Sequence, residues 1–596
     1  MLNSSFATIA ARVALSACAR PSRSIGAVPF SHNLKLFLST TTNQSSQPNT
    51  ATARHHDSPK SSAAAAAARS SPPSTSADEP TPPAPVIKDH REIGQAQKLF
   101  MFHDLSPGSA FFLPHGTRMV HKLMDLMRAQ YRKFGYDEVI TPQLYKRPLW
   151  QQSGHWDNYK DDMFAVLPGQ GDNKHAPPQP QGAQDATKWE AHDGCAHHAH
   201  APDAANDQSG LYGLKPMNCP GHCLLFKSTR HSYKDLPLRI ADFSPLHRNE
   251  ASGALSGLTR VRRFHQDDAH IFCTTSQVAD EIRSTLAMID QVYSLFGFAG
   301  WEFMLSTRPD KYLGNLDQWD AAERALREAL DSQVNTPWKE NPGDGAFYGP
   351  KIDIRVRDAA GRMHQTATVQ LDFQLPERFG LKYELADNSQ DTPVMIHRAV
   401  LGSVERMLAI LAEHYQGKWP FWLSPRQVMV IPVHQKREHL VDYAVQVRDV
   451  LRGTQPLPSP HPTSASGKPT RWQQAVQKQL LGRRLASPVQ PLAADVDLSS
   501  HTLKEKVRLA HDKGYSYVVM VGEREAEMGT VTMRPLVATA VGEEERQFAS
   551  WDVLLPQARG TRLATVNEMA EFFYLIGEKY VQEKLREGSP VVQLKL

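Results

Sequence analysis

The sequence predicts an α+β domain built on an antiparallel sheet, followed by a C-terminal α/β domain, and three observations carry that expectation. Apolar residues recur at helical spacing in two stretches before residue 300, strand-like runs crowd between residues 348 and 401, and strand and helix patterns alternate beyond Trp422. In chain order, Thr117 is placed to cap a helix whose Val120, Leu123, Met124, Met127 and Tyr131 share one face. That helix ends near Gly135 and a strand follows over Val139-Ile140-Thr141-Pro142. A second helix carries Val278, Ile282, Leu286, Ile289, Tyr293 and Phe296 and stops at Gly297. Strands are expected over Tyr348 to Val356, Thr366 to Phe373 and Val394 to Leu401. In the second domain Val428 to Ile431 reads as a buried strand, and Leu440, Tyr443, Ala444, Val447 and Leu451 as a helical stripe closed by Gly453. A short strand near Ala494 to Leu498, a helix around Leu503 to His511 and a strand at Tyr517 to Val521 continue the alternation.

Composition bounds the function only loosely. A chain of 596 residues with 40% hydrophobic content has room for two or more cores. No apolar run of eighteen residues is present, so no membrane span is expected. A net charge of +4 permits a polyanionic partner without requiring one. The five cysteines are too sparse for a disulfide framework. Residues 1–56 contain no acidic residue while Arg12, Arg20, Arg23, Lys35 and Arg54 alternate with Ser, Thr and Ala, the composition of a mitochondrial transit peptide. A plain disordered tail is the alternative. Residues 57–88, rich in Ala, Pro and Ser, read as a linker.

Three distant segments each offer one soft or borderline metal ligand: Cys219 in Lys215-Pro216-Met217-Asn218-Cys219-Pro220-Gly221-His222, His270 in Gln266-Asp267-Asp268-Ala269-His270, and His397 in Val394-Met395-Ile396-His397-Arg398. One thiolate and two imidazoles leave a position on zinc open, which suits a site that holds a substrate. Taken singly, a Cys is usually core and a His usually a satisfied hydrogen-bonding residue. With their flanks, and with His247-Arg248-Asn249-Glu250 and Gly402-Ser403-Val404-Glu405-Arg406, these segments resemble the catalytic core of the threonyl-tRNA synthetases, class II aminoacyl-tRNA synthetases, from about Asp89 to the C-terminus.

The resemblance implies a class II synthetase catalytic domain over 89–421, with an insertion at about 167–210, and an anticodon-binding domain over 422–596, with an insertion at about 454–490. It implies zinc held by Cys219, His270 and His397, and Mg²⁺ with ATP, for whose ligands only Glu405 suggests itself. It places Arg248 at the α-phosphate, Lys351 at the α-phosphate or the substrate carboxylate, Glu250 at the adenine amine, Phe264 against the adenine ring, Arg260 at the outer phosphates and Arg406 over adenine and the γ-phosphate. Gln370 and Ser403 complete the ATP set. A planar bidentate cation suits the charge that grows on phosphate oxygens. Asp268 is expected to accept from the threonine hydroxyl, Gln266 and Tyr348 to fix the amino group, and Met217 to line the pocket. The implied partners are threonine, ATP, tRNA(Thr) and a second copy of the chain, docked through the helix ending at Gly135. A helix packed on its own domain explains that periodicity equally well.

Other features stay open. The first insertion contains His192, Cys195, His197, His198 and His200; a polar surface loop is the expected reading, with adventitious metal binding the alternative. Lys478, Arg483 and Arg484 read by default as a solvated helix face, with contact to RNA phosphate the alternative; Arg263 and His265 are candidates for the acceptor end, and Arg534 for the anticodon. A class II synthetase for serine or proline, a silent tRNA-binding paralogue and a zinc hydrolase are the competing readings. The zinc set speaks against the first, the phosphate-handling arginines against the others.

Selectivity has a physical limit. A site built for a hydroxyl rejects its absence by roughly 10⁴ to 10⁵, whereas a missing methyl is worth only about 1 to 3 kcal/mol, so valine is excluded and serine is not. Fewer than ninety low-complexity residues precede the core, so the N-terminal editing domain that many relatives add is expected to be absent. The pure chain is therefore expected to form detectable seryl-tRNA without hydrolysing it; rapid deacylation of added seryl-tRNA contradicts this.

Overall fold

The computed structural model of the chain describes residues 88–167, 211–298, 300–333, 338–358, 361–455, 491–536, 555–556, 561–581 and 584. The transit peptide, almost all of the linker, the histidines of the first insertion and Lys478, Arg483 and Arg484 lie outside them.

The strands that build the first domain's site are, in chain order, β1 (Asp137–Glu138), β2 (Leu238–Asp242), β3 (Pro245–His247), β4 (Arg263–His265), β5 (Asp268–Cys273), β6 (Trp301–Ser306), β7 (Trp338–Asn341), β8 (Lys351–Arg357), β9 (Met363–Asp372) and β10 (Val394–Ala399). Apart from the β3/β4 pair, they form one eight-stranded sheet in the order β7-β6-β8-β9-β10-β5-β2-β1. The expected antiparallel sheet is present at its centre, but both edges differ: β1 runs parallel to β2, and β7 to β6. Parallel neighbours require a crossover. The helix Leu316–Gln333 supplies it between β6 and β7, and neither edge strand has the alternation that would have announced it.

The helices that matter for the site are α1 (Pro114–Phe134), α2 (Cys219–Lys227), α3 (Val278–Leu295) and α4 (Val404–Tyr415). Thr117 does not cap α1. Pro114 occupies the first turn after an extended Leu113, where its missing N–H costs nothing, and the Thr117 hydroxyl donates to Phe112 O at 3.3 Å. Gly135 ends the helix at φ 71° as expected. The strand expected over 139–142 is shorter and earlier, at β1. Thr141 turns away to give its N–H and hydroxyl to Asp242 Oδ2, at 3.2 and 2.6 Å, and Ile140 is 90% exposed.

Alternation along the central strands divides the sheet's two faces. Ala269, Ile271, Ile352, Ile354, Val369, Leu371 and Ile396 are fully buried in one core with Leu123 and Met127 of α1, Ile282 and Ile289 of α3, and Met407 and Leu411 of α4. Each such aliphatic side chain contributes about 1.5 to 3 kcal/mol on burial. The other face carries the polar residues of the site.

The second domain contains β11 (Val428–Pro432), α5 (Glu438–Leu451), β12 (Ala494–Val496), α6 (Leu503–Asp512), β13 (Tyr517–Val521), β14 (Thr530–Pro535), β15 (Leu555–Pro556), β16 (Arg562–Thr565) and α7 (Val566–Tyr574). Its six-stranded sheet runs β12-β11-β13-β14-β16-β15. The βα alternation appears as expected in the parallel β12-β11-β13 half, whereas β14, β16 and β15 add antiparallel strands. The two cores meet at residues 421–423: Phe421 belongs to the second, Trp422 and Leu423 to the first. Arg118 Nη1 and Lys122 Nζ of α1 donate to Pro425 O and Trp422 O at this joint, at 2.7 and 2.6 Å.

A buried ion pair fixes the centre of the sheet. Arg398 and Asp267 are both fully enclosed, and the Asp267 carboxylate also accepts from Val400 N and Leu401 N at 2.7 and 2.8 Å. The Arg398 guanidinium lies 4.3 Å from the Tyr136 ring centroid and 4.9 Å from that of Tyr131, a favourable cation–π position. Removing one partner leaves an uncompensated buried charge. Asp267→Ala is accordingly expected to cost about 3 to 5 kcal/mol, read as a lowered midpoint in chemical denaturation.

Candidate active site

Register brings the site residues together. Ser306, Lys351, Gln370, His397 and His270 are directly opposite one another across β6, β8, β9, β10 and β5. Directly paired residues share a face, so this row points five polar side chains the same way. Two residues along, Asp353 pairs with Thr368 on the same face, and Asp268 with Asp242.

Cys219 enters from above. It is the first residue of α2, and its Sγ and one nitrogen each of His270 and His397 lie within 4.8 Å of one another. All three are buried. His270 Nε2 and His397 Nδ1 face each other at 2.9 Å. Their outer nitrogens are held elsewhere: His397 Nε2 by Asp372 Oδ2 at 2.8 Å and His270 Nδ1 by His222 Nδ1 at 2.7 Å. His222 Nε2 in turn faces Asp242 Oδ2 at 3.8 Å. Despite its burial, the nearby His222 ring, hydrogen bonds from Ser244 and Thr141 and the Lys215 charge hold Asp242 below the usual carboxylate range. Burial pulls the His270 pKa well down, keeping a lone pair available, and burial with the Asp268 charge pushes the Cys219 thiol up. Such a thiol becomes a thiolate only beside a cation. Two imidazoles converging on a thiol, each oriented from behind, make a donor set that fits zinc.

The pocket beside this triad contains the remaining expected residues. Asp268 Oδ1 is 3.9 Å from His270 Nε2, and its other oxygen accepts from Asn218 Nδ2 at 3.1 Å. Tyr348 stands outside the strand expected to hold it. Gly349 passes so close to β9 that a Cβ there would sit 1.8 Å from Leu371 O, and β8 begins only at Lys351. Tyr348 thereby folds over His397, with ring centroids 5.0 Å apart, and donates to Gln370 Oε1. Met217 Sδ is 3.2 Å from His155 Nε2. Gln266 bridges through its backbone to Ser403.

Of the residues assigned to ATP, Arg248 and Glu250 follow β3, Arg260 precedes β4, Phe264 lies in β4, Ser403 and Arg406 are at the start of α4, and Lys351 and Gln370 belong to the row on β8 and β9. The Arg248 guanidinium covers one face of the Phe264 ring, 5.1 Å from its centroid, and Phe264 packs on Leu246 and Val261. Ser403 caps α4, its hydroxyl accepting from Arg406 N at 3.1 Å. Burial and the nearby Arg260 charge lower the Arg406 pKa. Both Arg248 Nε and Arg406 Nε are buried without a hydrogen-bond partner. Other assigned groups bind each other: Arg260 Nε donates to Glu250 Oε2 at 2.8 Å, and Lys351 Nζ sits 3.0 Å from Asp353 Oδ2. Glu405, suggested above for Mg²⁺, has a different job. It is 1% exposed and takes the His265 N–H and Nδ1 on its two oxygens, each at 2.9 Å, which ties β4 to the first turn of α4. The other ring nitrogen of His265, Nε2, lies 3.2 Å from Arg263 Nη2. Arg534 lies in β14, paired with Val518.

Four site residues escaped the sequence reading. His222 follows Cys219 at helical i+3 spacing and Asp372 follows Gln370 at strand i+2 spacing, so both shared a face with a recognised residue. Asn218 directly precedes Cys219. His155 had no such signal, coming from a helix far upstream to lie 3.7 Å from Cys219 Sγ. Burial lowers its pKa to about 3, so its ring is neutral. The groups behind the triad give a direct check: His222→Ala and Asp372→Ala are each expected to weaken zinc binding by about 10- to 100-fold in chelator competition.

Comparison with known proteins identifies the two domains. Residues 204–415 match the model of the tRNA synthetase class II core domain (G, H, P, S and T), and residues 427–547 that of an anticodon binding domain. The chain is 46% identical over 451 residues to the cytoplasmic threonine–tRNA ligase of Saccharomyces cerevisiae, covering 75% of this chain and 50% of the relative. It is 50% identical over 377 residues to the probable mitochondrial threonine–tRNA ligase of Schizosaccharomyces pombe, covering 62% of this chain and 72% of the relative. A crystal structure described as the RNA binding domain of threonyl-tRNA synthetase from Cryptosporidium parvum superposes with a TM-score of 0.63 at 39% identity, covering 82% of this chain and 98% of that one. The chain spans about half the length of several of the curated relatives it matches. With a class II core, an anticodon-binding domain and this level of identity, the chain belongs to the threonyl-tRNA synthetase family.

Proposed function

We propose that the chain is a threonine–tRNA ligase that activates threonine with ATP and transfers it to the 3′-terminal ribose of tRNA(Thr). The observation that carries the reading is the convergence of Cys219, His270 and His397 beside Asp268, next to the phosphate-facing arginines. In the first step the threonine carboxylate attacks the α-phosphate and pyrophosphate leaves; in the second the ribose hydroxyl takes the acyl group and AMP leaves. Class II synthetases use ATP with Mg²⁺. Arg248 and Arg406, whose Nε atoms have no protein partner, are suited to the phosphate charge that grows during attack. Glu250 and Lys351 exchange their present partners, Arg260 and Asp353, for the nucleotide. Phe264 packs the adenine, Arg260 reaches the outer phosphates, and Gln370 and Ser403 complete the nucleotide site.

Cys219, His270 and His397 hold zinc in this reading, and zinc when bound supplies a Lewis-acidic seat for the amino and hydroxyl groups of threonine. Asp268 accepts from the hydroxyl, fixed for that purpose by Asn218. Tyr348 and Gln266 position the amino group, and Met217 closes the pocket beside His155. The domains carrying this are the catalytic domain over 89–421 and the anticodon-binding domain over 422–596.

We further propose a homodimer joined through α1 and action in the mitochondrial matrix. The second rests on the composition of residues 1–56, since both cytoplasmic and mitochondrial relatives are comparably similar.

Amino-acid-dependent exchange of pyrophosphate into ATP tests the central reading. Strong exchange with threonine, weak exchange with serine and none with valine are expected, with about one zinc per chain by elemental analysis. No exchange with any amino acid points to a silent paralogue, and a preference for serine or proline overturns the pocket assignment.

A further inference from the structure

At the end of α2 opposite Cys219 lies a recess of about 340 Å³, lined by Lys227, Arg230, His231, Lys382, Glu384 and Gln390 among others. Three features distinguish it from an ordinary charged surface. Two of its cations are fixed: Lys227 Nζ donates to Phe379 O at 2.6 Å and Lys382 Nζ to Thr392 Oγ1 at 2.8 Å. Both partners are neutral oxygens. Among the described residues no carboxylate lies within 4.0 Å of the cationic nitrogens of Lys227, Arg230 or Lys382, although Glu384 borders the recess. Cations elsewhere in this domain, such as Arg128, Arg239 and Arg362, are paired with acids. The third feature is the wall, where the His231 ring stacks on Phe226 with centroids 4.1 Å apart.

Unneutralised cations gathered in a concavity, held by neutral acceptors, are arranged for an anion that comes from outside the chain. The recess is also placed for a particular anion. α2 has nine residues, so its two ends are about 13 Å apart, which is the span of about four nucleotides along one strand at ~3.4 Å each. An RNA whose 3′ end reaches the Cys219 pocket brings backbone phosphates to this distance. The cations are distributed over two segments, 227–230 and 382, rather than focused on one point, as suits a backbone more than a lone ion.

We propose that this recess binds backbone phosphate near the acceptor end of the RNA substrate. The assignment rests on the ligase reading above and deepens it. Contacts of this type position the RNA without reading its sequence.

The test uses the full chain with Arg230 and Lys382 both changed to Glu, comparing pyrophosphate exchange, which needs no RNA, with aminoacylation of tRNA. Exchange is expected to stay within about twofold of the parent while the KM for tRNA rises roughly tenfold. The slope of log KM against log salt is expected to fall by about two, one for each lost phosphate contact. Unchanged tRNA KM and salt slope with intact exchange overturn the proposal. A changed pyrophosphate KM with unchanged tRNA KM overturns it too, assigning the recess to a small phosphate. Thr229→Glu, which adds one acid at the rim, gives the same readout with a single exposed change should the double variant lose exchange. Absence of exchange in the parent chain would count against the ligase reading, a result separable from any change in tRNA KM.

Discussion

The geometry of the site depends on the register between β5 and β10, and Asp267 and Arg398 set that register. The Asp267 carboxylate collects the Arg398 guanidinium and two backbone N–H groups from residues 400 and 401. A slip by one residue would abandon all of these in a fully enclosed place, where an unpaired charge is severely penalised. The same slip would turn His270 and His397 to opposite faces. The ion pair sits on the helix-covered side of the sheet, where it contributes nothing to chemistry directly. Its consequence appears on the other side, where two imidazoles are held 2.9 Å apart.

That division of labour explains how a sheet can bury so many polar groups. One face is continuous aliphatic core against α1, α3 and α4. The other presents Lys351, Gln370, His397, His270, Asp268 and Asp353, each of which has a hydrogen-bonding or ionic partner. Where partners are missing, the gap is informative. Arg248 Nε and Arg406 Nε are buried and unpaired, whereas Glu405 is fully used in joining β4 to α4. Arg398 Nε and Nη2 are likewise buried without a hydrogen-bond partner, but on the helix-covered face, where the guanidinium lies over the Tyr131 and Tyr136 rings instead.

Both ends of α2 bear on the substrate in this view. Its first residue, Cys219, meets the two histidines, and Lys227 and Arg230 at its other end open the basic recess. A short rigid helix is a good ruler between two sites because its length is set by backbone hydrogen bonds rather than by side-chain packing. The joint between the domains has a similar economy. Arg118 and Lys122 of α1 hold the carbonyls of residues 422 and 425, so the helix assigned by resemblance to dimerisation also anchors the second domain.

Local pattern in the sequence determined much of this protein. The long helices, the central strands and the βα units of the second domain appear where periodicity placed them, because burial on one face imposes a period of 3.6 or 2 whatever the tertiary context. Sequence alone also supplied the Cys219, His270 and His397 donors and, through the family resemblance, Arg248 and Arg406, since chemistry restricts which side chains can serve. It did not determine the edge pairings of the sheet, the start of α1 or the strand at 139–142, where Pro114 and the pull of Asp242 on Thr141 overrode the local signal. Only the tertiary structure decided which groups stand behind the ligands, that Glu405 binds His265, and that His155 reaches Cys219. Those contacts join residues distant in sequence through the register of strands and the packing of helices, and no one-dimensional pattern encodes a distance between them.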